Sequence, residues 1–86
     1  MPHLENQILK IPPGYSEVIY NGKKYSLTRE DLVGSRSIKI FAQEQGGKDF
    51  ISFNYYRTKS GAAHFRACEM PDEKVEHFLE HFQSLS

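Results

Sequence analysis

Two periods of apolar positions divide the chain. Between residues 16 and 69 apolar side chains recur mostly at every second position; after Pro71 they recur at every third or fourth. The first period is that of a strand with one wet face, the second that of a helix packed along one stripe. Val18, Ile19 and Tyr20 stand before Asn21-Gly22, and Tyr25 and Leu27 follow it. Asn and Gly both accept the positive φ of a type I′ turn, so the pair predicts a hairpin. Tyr25 and Leu27 alternate with Lys24, Ser26 and Thr28, which predicts one inward and one solvated face. Residues 29–34 read as a connection, with Leu32 and Val33 plugging an edge of the core. A third strand is expected over 36–43, with Ile38, Ile40 and Ala42 on one side and Lys39, Phe41 and Gln43 on the other. Gly46-Gly47 turns the chain into a fourth strand over 49–58. Lys59-Ser60-Gly61 turns it into a fifth, from Ala62 or Ala63 to Glu69. Such short links predict an antiparallel meander.

Past Met70 the pattern changes. Pro71 suits the first position of a helix, and Asp72 and Glu73 suit the positive end of its dipole. Val75, Phe78, Leu79 and Phe82 fall at i, i+3, i+4 and i+7, one apolar stripe. At the other end, the weak periodicity of residues 1–14 and the Pro12-Pro13-Gly14 stop predict an extended N-terminal arm. Residues 15–86 then form a single domain. The fold expected is α+β: a curled, mainly antiparallel five-stranded sheet with one C-terminal amphipathic helix, the sheet either open or closing into a small, partly open barrel.

Composition narrows the function. The 86 residues carry eleven basic and eleven acidic side chains, so the chain has no general basic excess for nucleic acid or anionic membrane. The charge is unevenly placed, with nine basic and four acidic residues between 22 and 66, and one basic and five acidic between 69 and 86. A basic sheet and an acidic helix that complement each other account for this. One cysteine leaves no internal disulfide and no cysteine-rich metal site, which suits a reducing compartment. No apolar run approaches the roughly 20 residues of a membrane span, and no signal-peptide pattern opens the chain. The expected location is the cytoplasm, with no membrane partner.

The third, fourth and fifth strands carry the candidate chemistry. Lys39, Phe41, Asn54, Tyr56, Arg57, His64, Arg66 and Cys68 are the residues expected to form a binding surface, most of them as same-face neighbours. Tyr and Arg are favoured at protein–protein hot spots. Half-aromatic sheets and free strand edges also pair with other chains. A protein partner or self-association is therefore the first expectation, in a non-enzymatic module. Single-stranded nucleic acid is the second: rings stack on bases, and Lys39, Arg57, Lys59 and Arg66 contact phosphates. A thiol enzyme using Cys68 is the third. His64, four residues away on the same strand face, is roughly 13 Å distant, too far to pair with it directly. Arg66 between them supplies the positive charge that favours a thiolate. His77 and His81 share a helical face but make only two ligands, and the carboxylates near the turns are explained by solvation and capping. No catalytic residue, metal or cofactor is assigned.

The run Asp49-Phe50-Ile51-Ser52-Phe53-Asn54-Tyr55-Tyr56, followed by Cys68-Glu69-Met70-Pro71 and the amphipathic stretch, resembles a group of short, uncharacterised bacterial proteins. The resemblance covers about residues 16–82. It implies a bacterial cytoplasmic origin and brings no activity, substrate or catalytic residue with it.

Overall fold

Asn21 and Gly22 adopt φ of 54° and 74°, the two positive values of a type I′ turn. They join β1 (Gly14–Tyr20) to β2 (Lys23–Leu32), with Tyr20 opposite Lys23 and Val18 opposite Tyr25. The computed structural model describes residues 2–32, 37–57 and 63–85, without the side chains of residues 2–4, 57 and 63. Val33, Arg36 and the turn expected at Lys59-Ser60-Gly61 lie outside the described residues.

β2 runs on through Glu30, Asp31 and Leu32, so the expected connection is strand almost to its end. Its last residues pair with β3 (Ser37–Glu44), Glu30 opposite Lys39 and Leu32 opposite Ser37. Leu32 does not plug the core: it is 38% exposed. β4 (Phe50–Arg57) and β5 (Ala63–Ala67) complete the expected meander. A two-residue strand, β6 (Gln83–Ser84), then pairs with β1, giving six strands where five were expected. The order is β5-β4-β3-β2-β1-β6, every pair antiparallel. β5 and β6 are edges, so the sheet is open and not a barrel.

Residues 2–14 are not an extended arm. Pro2–Leu9 form a helix, α1, and Ile8 and Ile11 are 1% exposed within the core. A last turn is closed by the Ile11 N–H donating to the Ile8 carbonyl. Burying two isoleucines favours the helix by about 3–6 kcal/mol in transfer terms, enough to override weak local propensity. Pro12 and Pro13 stop the helix rather than forbid it. The folded unit therefore starts before Tyr15.

α2 (Asp72–His81) buries Val75, Phe78 and Leu79, the expected stripe, and Phe82 stacks on Phe78 just past the helix end. Pro71 stands one position earlier than expected, as the extended cap residue. Both helices lie on one side of the sheet. Their apolar residues join Val18, Tyr20, Tyr25, Leu27, Ile38, Ile40, Ala42, Ile51, Phe53 and Tyr55 in a single core. The chain is thus a two-layer α+β domain with one face of its sheet covered. No helix among the described residues is long and apolar enough to cross a membrane.

Candidate functional site

Strand alternation sends the other half of the side chains to the uncovered face. The register assembles them into rows. Lys39 pairs with Asn54 and Asn54 with Arg66, so these three form one row across β3, β4 and β5. Tyr56 pairs with His64, and their rings sit 5.6 Å apart. Phe41 pairs with Ser52, and the Cys68 N–H donates to the Ser52 carbonyl at 2.9 Å, which places Cys68 at the end of that row. Continued across the sheet, the Phe41 row includes Thr28 and Tyr15. Seven of the eight residues expected to form a surface therefore lie together on the helix-free face. The eighth, Arg57, ends β4 opposite Ala63, and its side chain is outside the described residues.

The rings on this face are partly open to water. Tyr15 is 65% exposed, Phe41 40% and Tyr56 38%. Phe41 stacks on Phe50 with centroids 6.0 Å apart, and Ser52 next to Phe41 is buried. Thr28, Glu30, Lys39 and Phe41 line a shallow depression of ≈ 290 Å³ between β2 and β3. Nearby, Tyr15 and Gln45 both donate to Glu17 and to Ser26. The Gln45 amide is the largest influence holding the Glu17 carboxyl below its ordinary value; burial opposes it, and Tyr15 and Lys24 assist. The charges of the described face are Lys24, Lys39 and Arg66 against Glu17 and Glu30. The local basic excess of the sequence is not gathered here.

Cys68 meets an amide rather than a base. Asn54 Nδ2 lies 3.9 Å from its sulfur, while His64 pairs with Tyr56 in another row. The structure keeps His64 and Cys68 apart, as their spacing implies.

A second polar cluster sits at the opposite side of the sheet, where α2 docks. Tyr25 donates to Asp49 Oδ2 at 2.6 Å, and Lys74 donates to Asp49 Oδ1 at 2.5 Å. Burial pushes the Asp49 carboxyl up, but the hydrogen bonds from Lys74 and Tyr25 outweigh it and hold the group below its ordinary value. Burial, then the hydrogen bond to Asp49 and its charge, pushes the Tyr25 phenol well above its ordinary range. Tyr20 Oη and His77 Nδ1 are 2.5 Å apart, and burial raises the Tyr20 phenol as well. Tyr55 is also raised by burial, and its hydroxyl has no hydrogen-bond partner among the described residues. His77 and His81 rings lie 4.3 Å apart, and no three His, Cys, Asp or Glu side chains among the described residues converge as a metal site requires.

Sequence reasoning missed this second cluster. Its partners are 24, 25 and 57 residues apart, and no motif spacing links them. The available signal was chemical: a buried tyrosine hydroxyl usually finds a partner, as those of Tyr20 and Tyr25 do and that of Tyr55 does not among the described residues. The cluster also revises the charge picture. The lysine of the acidic helix meets an aspartate of the basic sheet region, the reverse of simple complementarity. Since these groups bond α2 to the sheet, their role is docking. Comparison with known protein families, with characterised proteins and with solved structures finds no match to this chain.

Proposed function

We propose that the chain is a small, non-enzymatic binding module that holds a protein partner against the uncovered face of its sheet, in the cytoplasm. One observation carries this reading: an aromatic face, with Phe41, Tyr56 and Tyr15 open to water, that no helix among the described residues covers. Exposed apolar surface rimmed by polar groups marks interaction sites. Tyr and Arg anchor such surfaces because they combine large contact area with directed hydrogen bonds. The near balance of charge on the face favours a protein over a polyanion, since phosphate tracking needs a cationic groove. The separation of Cys68 from any base weighs against thiol catalysis.

The test is site-specific crosslinking. A photoreactive residue at Asn54, on the open face, is expected to give protein adducts in cell extract, and one at Glu73, on α2, is not. Equal adducts from both positions, or none from Asn54, would overturn the reading. The row Lys39, Asn54 and Arg66 beside the Tyr56–His64 ring pair favours a second reading, binding of single-stranded nucleic acid. It requires salt-dependent retention on single-stranded oligonucleotides, lost in Tyr56→Ala and Arg66→Ala. An absence of retention at low salt removes it.

A further inference from the structure

We propose that the partner is a second copy of this chain, packed face to face about a two-fold axis that runs along the strands between β2 and β3. The inference rests on the reading of the uncovered face as a protein-binding surface. Six strands put three on each side of that midline. The β3-β4-β5 half of the face carries Lys39 and Arg66; the β1-β2 half carries Glu17 and Glu30, with Lys24 near the hairpin end. The face is therefore positive on one side of its midline and mainly negative on the other. A two-fold axis parallel to the strands lays each half over the opposite half of the copy, which is the operation that makes such a surface complementary to itself.

The register makes the match specific. Glu30 and Lys39 stand directly opposite each other across the midline. Among the described residues neither enters an ion pair. The rotation brings Lys39 over the partner's Glu30 and Glu30 over the partner's Lys39, two equivalent pairs around the axis. Packed sheets stand about 10 Å apart, a gap that a lysine and a glutamate bridge together. The depression lined by Thr28, Glu30, Lys39 and Phe41 lies on the same midline and leaves room for them. In the neighbouring row, Phe41 comes over the partner's Thr28, and the partner's Tyr15 comes over the small Ser52, beside the Phe41–Phe50 ring pair. The rings supply apolar burial, and the charge pairs fix the register. Aligned packing of two such sheets is the ordinary geometry of a β-sandwich.

Sedimentation equilibrium tests this with four samples. The wild-type chain is expected at twice its 10.0 kDa mass at high micromolar concentration. Lys39→Glu alone and Glu30→Lys alone each place like charges across the axis, and each is expected to weaken self-association about tenfold or more. An equimolar mixture of the two single variants is expected to recover the dimer, because every facing pair is then opposite in sign. Circular dichroism of each variant establishes that these exposed substitutions leave the fold intact. A monomeric wild type, single variants that self-associate like the wild type, or a mixture that stays monomeric would overturn the proposal. Failure here is distinguishable from failure of the broader reading. A monomer that still crosslinks through Asn54 to a different protein keeps the binding module and loses the two-fold; a monomer with no protein adduct loses both.

Discussion

Phe53 and Phe41 are the same side chain on adjacent strands, and they live in different worlds. Phe53 is 0% exposed beneath the helices, while Phe41 is 40% exposed on the other side. The covered face is aliphatic and aromatic, with polar groups tied in pairs, Tyr20 with His77 and Tyr25 with Asp49, and the Tyr55 hydroxyl left unpaired among the described residues. The open face mixes rings with Ser, Thr, Asn and Gln and with both signs of charge. Exposure close to zero is what fixes a side chain in place; partial exposure is what leaves it available. One sheet thus separates a buried core from an open face by strand parity alone.

That separation is measurable. The largest expected effect is Phe53→Ala, which should cost about 3–5 kcal/mol by transfer and cavity terms, against about 0.5–1 kcal/mol or less for Phe41→Ala. Urea denaturation of both variants reads the difference, and similar losses would erase the distinction between the faces. Next is Ile11→Ala, expected to cost about 2–5 kcal/mol because the residue is part of the core. A loss below about 0.5 kcal/mol in thermal unfolding would return the N-terminal segment to a loosely held arm. Tyr20→Phe removes the hydroxyl bonded to His77 and should cost about 0.5–1.5 kcal/mol in urea denaturation.

The smallest effect is a pH dependence. Asp49 is held below its ordinary value of 3.8, so its stabilising contribution is full above that value. It is lost as pH falls from there through the folded-state value. Asp49→Asn should therefore flatten the acid limb of the stability curve. Tyr20, Tyr25 and Tyr55 shift the other way. Stability should be full below their ordinary value of 10.0 and fall as pH rises from there toward the folded values. Acid and alkaline melts of wild type and variant check both signs.

Much of this was legible in the residues. Asn21-Gly22 announced its hairpin, and alternation sorted Ile38, Ile40 and Ala42 from Lys39 and Phe41. The stripe Val75, Phe78 and Leu79 announced α2. What escaped had physical reasons. α1 is 8 residues long and stands on tertiary packing, so its local signal is weak. Glu30 and Asp31 are exposed, yet they continue β2 opposite Lys39 and Ile38. β6 has 2 residues, too few for any period to show. Open sheet and barrel share the same alternation, so closure was not written in it. Seven of the eight surface residues came out together because one parity rule places them; Arg57 stands outside that set. The Tyr25–Asp49–Lys74 cluster stayed hidden because only the three-dimensional path of α2 brings Lys74 to the hairpin.

Gln7 of α1 donates to the Leu79 carbonyl of α2, a bond between residues 72 apart in the chain. Its consequence concerns time. A segment made early on the ribosome has its docking site completed only when α2 emerges, after every strand of the meander. Local hairpins close in microseconds, while contacts of such separation wait on the rest. α1 should be the last element to acquire protection from hydrogen exchange during refolding, and the first to lose it when the native state opens.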